Sequence, residues 1–99
     1  MNPQQMQQMM KQAQQMQERL QKEMSALRIE ATSGGGMVAV VIDGDKRLLS
    51  LKMDPDAVSK EDVEILQDMI VAAVNDAHRQ VDDALKQKMG GMLPPGLKL

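Results

Sequence analysis

Apolar residues along the chain fall into two long stripes of helical spacing, with three short runs of strand spacing between them. Met6, Met9, Met10, Ala13, Met16, Leu20, Met24 and Leu27 recur at steps of three and four, which puts them on one face of a helix. The positions between them are mostly Gln, Lys, Glu and Arg, all tolerant of helix. Asn2 offers a capping oxygen, and Pro3 suits the first helical position. The pattern predicts a helix from Pro3 to about Leu27.

The period then drops to two. In Arg28–Thr32, Ile29 and Ala31 share one side and Arg28, Glu30 and Thr32 the other, which predicts a short strand. Ser33-Gly34-Gly35-Gly36 reads as a flexible turn. Met37–Ile42 is rich in β-branched residues and apolar on both sides, as in a central strand or one covered by a partner. Asp43-Gly44 is a hairpin signal. Leu48–Met53 alternates again, with Leu49, Leu51 and Met53 on one side and Leu48, Ser50 and Lys52 on the other. Three short runs joined by two turns predict an antiparallel meander.

Asp54-Pro55 ends the sheet. Ser59 followed by Asp62 resembles a capping box with the shorter acid. The second stripe, from Val63 and Leu66 through Ile70, Ala73, Ala77 and Val81 to Leu85 and Met89, predicts a helix from about Lys60 to about Lys88, stopped by Gly90-Gly91. Pro94-Pro95 forbids helix in the last residues of the chain. The expected fold class is α+β: a long helix, a three-stranded antiparallel meander and a long helix. One α-β-β-β-α domain is expected over residues 1–89, with a flexible Pro/Gly-containing tail at 90–99.

Composition changes this picture by demanding a partner. The chain has no Phe, Trp, Tyr or Cys, so its core is limited to Met, Leu, Ile, Val and Ala. An aromatic side chain buries about 150–250 Å², and a domain this small buries only about 60–65% of its unfolded surface. The two helices would be ~37 Å and ~43 Å long, against a radius of gyration near ~13 Å for a compact domain of this length. Part of each helix must therefore project, and a projecting apolar stripe needs cover. A tweezer-like homodimer with projecting helical arms meets both needs. The lack of Cys excludes a disulfide scaffold and a thiolate zinc site. No apolar run approaches the ~20 residues of a membrane span, and the Gln-rich start lacks the apolar region of a signal peptide. A soluble cytoplasmic protein with no membrane partner is expected.

The net charge of −2 conceals a segregation. Residues 1–28 carry four basic side chains against two acidic ones, residues 54–83 carry nine acids against Lys60 and Arg79, and residues 84–99 carry Lys86, Lys88 and Lys98 without an acid. If the helices pair antiparallel, the start of the first lies beside the end of the second. Lys11, Arg19 and Lys22 then join Lys86 and Lys88 on one basic arm, with Arg79 a weaker candidate. An arm with no aromatic platform for bases suits phosphates. Duplex DNA held through its backbone, with little sequence preference, is the expected partner.

Other chemistry is weaker. Met6, Met9 and Met10 could ligate a soft metal, but methionine at this spacing is far more often a packing seam, so no metal is expected. His78 stands alone on a helix, and the Gly34–Gly36 run lacks the Gly-Lys-Ser/Thr ending of a phosphate loop. No serine sits in a nucleophile elbow. No catalytic residue, cofactor or small-molecule substrate is expected. The rival function is a chaperone-like or adaptor module that holds a protein in a Met-rich helical groove.

Three stretches carry a resemblance: Met10-Lys11-Gln12-Ala13-Gln14-Gln15-Met16-Gln17, Val71-Ala72-Ala73-Val74-Asn75-Asp76-Ala77 and Leu93-Pro94-Pro95-Gly96-Leu97-Lys98. In this order and spacing they resemble the YbaB/EbfC family of nucleoid-associated proteins. The resemblance implies a helix–three strands–helix fold, a tweezer-like homodimer and DNA binding through the helical arms. It also implies a cytoplasmic, nucleoid-associated location and effects on nucleoid organisation and gene expression.

Overall fold

A computed structural model describes residues 2–90. Helix α1 spans Pro3–Ala26. Strands β1 (Ile29–Ser33), β2 (Val38–Ile42) and β3 (Leu48–Met53) come next, and helix α2 spans Val63–Gly90. The expected α+β order of elements is the observed one. The start of α1 forms as its sequence dictates: Asn2 Oδ1 accepts from the Gln5 amide at 2.8 Å, and Pro3 opens the helix. Its end bends away at Leu27, whose N–H still donates to the Met24 carbonyl.

The second helix starts three residues later than its stripe predicts. Ser59 Oγ does donate to Asp62 Oδ2, at 2.9 Å. That hydrogen bond closes a turn ahead of the helix, and the first helical residue is Val63. At the other end the helix runs through Gly90, one of the two glycines expected to stop it. The tail expected at 90–99 lies, beyond Gly90, outside the described residues.

The sheet is antiparallel in the order β1-β2-β3. Helix α2 lies across β1 and β2. Val38, Val40 and Ile42 of the central strand are fully buried against it, with Ala31 of β1 and Ala73, Ala77 and Val81 of α2. The two alanines let the helix sit close to the sheet, so short β-branched side chains fill the gap without an aromatic. Met24 joins this cluster from the end of α1, with Leu20 and Leu27 packed at its margin.

Strand β3 departs from simple alternation. A bulge between Val41 and Ile42 sets Leu48 opposite Ile42, Leu51 opposite Val40 and Met53 opposite Val38. A one-residue bulge inverts the side on which flanking residues fall, so Leu48, not Leu49, continues the row expected for Leu51 and Met53. None of these is covered by α2, and all stay exposed.

Both turns are built by glycine, for different reasons. Gly34, Gly35 and Gly36 all have positive φ, and a Cβ at Gly34 would meet Met69 Sδ at 2.1 Å. The β2–β3 turn takes five residues, Asp43–Arg47, and its left-handed residue is Lys46 (φ 66°), not Gly44. The Asp-Gly pair thus marks the turn without forming the two-residue hairpin it signals.

From end to end, the described chain measures 70 × 26 × 16 Å. Its radius of gyration is 19.5 Å. The excess length belongs to α1: every residue from Asn2 to Arg19 is exposed.

Candidate functional site

The projecting part of α1 forms a stem, and the stem carries the candidate site. Met6, Met9, Met10 and Met16 are between 48% and 62% exposed, so the apolar stripe of the stem has no cover within the described chain. Lys11, Arg19 and Lys22 are exposed on the same helix. No other described element reaches the first turns of the stem, so its 16 or so leading residues stand as a free helix. Lys11 lies about 17 Å along the helix axis from Lys22.

The second helix meets the stem only at its base. Lys88 Nζ approaches Glu23 Oε2 at 3.3 Å, so the last turns of α2 lie beside the last turns of α1. The start of α1 does not lie beside the end of α2, as close antiparallel pairing would require. Lys88 is therefore near Lys22 at the base, with Lys11 alone farther out. Lys86 is exposed one turn beyond Asp82. Arg79 sits lower still, paired with Asp76 across one helical turn. That pair lowers the Asp76 carboxyl below the usual range, chiefly through the arginine's hydrogen bond, and raises the guanidinium of Arg79 in return. Of the six basic residues singled out from the sequence, Arg79 and Lys88 thus already hold an acid. Glu23, which occupies Lys88, is invisible to stripe reading because it depends on how the two helices cross.

The acids gather at the opposite end. Asp56 and Asp62 border a shallow cleft with Gly34, Met37, Ala57, Ile65 and Met69, beside the N-terminus of α2. About 40 Å of helix separates them from Lys88. The charge segregation of the sequence is spatial only in part. The basic outer stem and the acids around the start of α2 lie at opposite ends, but the base of the stem is mixed, with Glu23 beside Lys88, Asp45 beside Ser25 and Asp82 beside Lys46. The hollow along the last turns of the stem, lined by Glu18, Gln21, Lys22, Ser25 and Ala26, is open surface. Among the described residues, no group of three or more His, Asp or Glu side chains is placed to hold a metal ion, and no helix is long and apolar enough to cross a membrane.

The model of the YbaB/EbfC DNA-binding family matches residues 1–97. A nucleoid-associated protein of Acidobacterium capsulatum is 48% identical, the alignment covering 98% of this chain and 99% of that protein. A nucleoid-associated protein of Koribacter versatilis is 51% identical over 86% of this chain and 84% of its own length. The fold is also similar to that of an uncharacterized protein from Helicobacter pylori, with a TM-score of 0.81 and 26% identity, covering 95% of this chain and 99% of that one. The family is one of DNA-binding, nucleoid-associated proteins and not of enzymes. By the match along nearly its whole length, this chain belongs to the YbaB/EbfC DNA-binding family.

Proposed function

We propose that the protein works as a homodimer that grips duplex DNA between its stems, mainly through phosphates and with little sequence preference, and so affects nucleoid organisation and gene expression. The observation that carries this reading is the stem itself, a helix that projects alone with basic residues and an uncovered apolar stripe. Dimerisation supplies the missing cover. Leu48, Leu51 and Met53 on β3 and the methionines of the stem are among the large apolar side chains left exposed among the described residues, and a second copy would bury them.

Lys11, Arg19, Lys22 and Lys86 are the phosphate-binding residues of this reading, being exposed and held in none of the ion pairs among the described residues. Lys88 joins them by exchanging Glu23 for a phosphate. Arg79 contributes least, because it must first leave Asp76. A protein confined to DNA phosphates is expected in the cytoplasm, on the nucleoid. A gel-shift titration of two unrelated duplexes at several salt concentrations tests the reading. With roughly four to eight phosphates engaged per dimer, log K against log[salt] should have a slope of about −4 to −7, similar on both duplexes. Binding indifferent to salt would overturn it and favour a protein client in the Met-rich groove.

A further inference from the structure

The stem touches the body only at its last turns, so whatever holds those turns decides where it points. Besides the buried Met24 side chain and the Glu23–Lys88 pair, the β2–β3 turn holds them. The Gly44 amide donates to the Met24 carbonyl at 2.8 Å, capping the end of α1. A Cβ at Gly44 would lie 2.1 Å from that carbonyl oxygen and 2.6 Å from its carbon. Since φ at Gly44 is not positive, glycine is required there for close approach and not for backbone freedom. One residue on, Asp45 Oδ2 accepts from Ser25 Oγ at 2.9 Å. Lys46 then reaches the other helix, its Nζ 2.8 Å from Asp82 Oδ1.

The turn is itself stiff. Asp43 is buried, and its Oδ1 accepts from the amides of Asp45 and Arg47 at 2.9 and 3.0 Å. The Lys46 amide donates back to the Asp43 carbonyl. Lys46 holds a left-handed conformation that favours glycine or asparagine, and this aims its side chain at α2. A preformed turn thus clamps the end of one helix and the flank of the other.

We infer that the turn Asp43–Arg47 sets the direction of the stem, and that Gly44, Asp45 and Lys46 are positioning residues for DNA binding although none touches DNA. The second half of this inference rests on the stem being the DNA arm; the first half does not. An ordinary packing role would predict loss of stability without change of direction.

The test uses the full chain. Having no cysteine, it accepts a spin-label pair at Gln14→Cys and Gln67→Cys, diluted with unlabelled chain so that each assembly carries one labelled copy. In the parent the stem-to-body distance gives one narrow peak. The double variant Asp45→Ala/Lys46→Ala should lose that peak while remaining folded and dimeric. Its DNA affinity should fall, and the salt slope should flatten by about 0.9 for each phosphate no longer engaged. Asp45→Asn, which keeps an acceptor for Ser25, should restore the peak when Lys46 is intact. Gly44→Ala should displace it; should that variant fail to fold, the double variant decides. An unchanged peak in the double variant overturns the inference. A vanished peak with unchanged DNA binding upholds the control of direction and overturns the role in binding, and with it the reading of the stem as the arm.

Discussion

The body and the stem of this protein are two answers to the same poverty of side chains. In the body, Val38, Val40, Ile42, Ala73 and Ala77 are sealed from solvent, and small residues on α2 bring helix and sheet close enough to do without aromatics. In the stem every residue before Leu20 is exposed. A free helix of about 16 residues is only marginally stable in water, so the stem relies on its cap, on helix-forming residues and, in the proposed dimer, on another copy. The same apolar spacing in a sequence can therefore mark either a core or an unsatisfied surface. Residue type separates them only in part: Val38, Val40, Ile42, Ala73 and Ala77 are inside and methionines line the stem, but Met24 is buried while Ala13, Ile65 and Val71 are exposed.

The contrast breaks most visibly with a charge in each region. Val40→Asp should leave no cooperative unfolding transition by circular dichroism. An unpaired buried charge costs several kcal/mol, on the order of the whole stability of a small domain. Met9→Asp with Met10→Asp should leave the body folded and act on assembly. Sedimentation at micromolar concentration should move from about twice the 10.9 kDa chain mass towards the single chain. If the stem variant unfolds like the body variant, the two regions do not fold independently.

Charge removal sharpens the comparison further. Lys11→Ala with Lys86→Ala should weaken binding to unrelated duplexes alike and flatten the salt slope by about 0.9 for each phosphate released. The melting temperature should be unchanged, because both lysines are exposed. Lys52→Ala, on the outer side of the sheet, is the matched control. Loss of the stem's cap by Asn2→Ala should cost about 1 kcal/mol of local helix stability, seen as faster amide exchange in the first turn and not in α2.

The smallest effect expected is on acid stability. Asp82 is held below the usual carboxylate range chiefly by its hydrogen bond with Lys46, and Asp76 by its hydrogen bond with Arg79. A depressed carboxyl contributes stability above its unfolded pKa of about 3.9 and loses it as pH falls through its lower folded value. Asp82→Asn should remove part of the acid-side slope of the melting temperature below about pH 4. Its curve should lie below the parent's by no more than about a degree at neutral pH, because the pair is solvated, and should meet the parent's in acid, where Asp82 is protonated.

Much of the fold was legible in the sequence because periodicity reports local geometry. The α+β order, the strand Leu48–Met53, the Asn2 cap and the stripe of α1 all emerge from spacing and residue type. What spacing does not carry is contact at a distance. The bulge that puts Leu48 opposite Ile42 depends on pairing, and the Lys88–Glu23 pair depends on helix crossing. Gly44 shows the limit well. Its pairing with Asp43 marks a turn, but the reason for glycine is the carbonyl of Met24, far back along the chain at the end of α1. The basic residues were findable as a class, and Asp76 stands at helical spacing from Arg79, whereas the hold of Glu23 on Lys88 was not legible.

A stem fixed at one end is also a lever, and levers magnify angular error. From Met24 to Pro3 the helix is about 32 Å long. A change of about 10° at the Gly44 joint would swing its tip by about 6 Å, nearly two base-pair steps along a duplex. The tolerance at the tip is therefore decided where the helix is anchored, at a carbonyl that leaves no room for a methyl group.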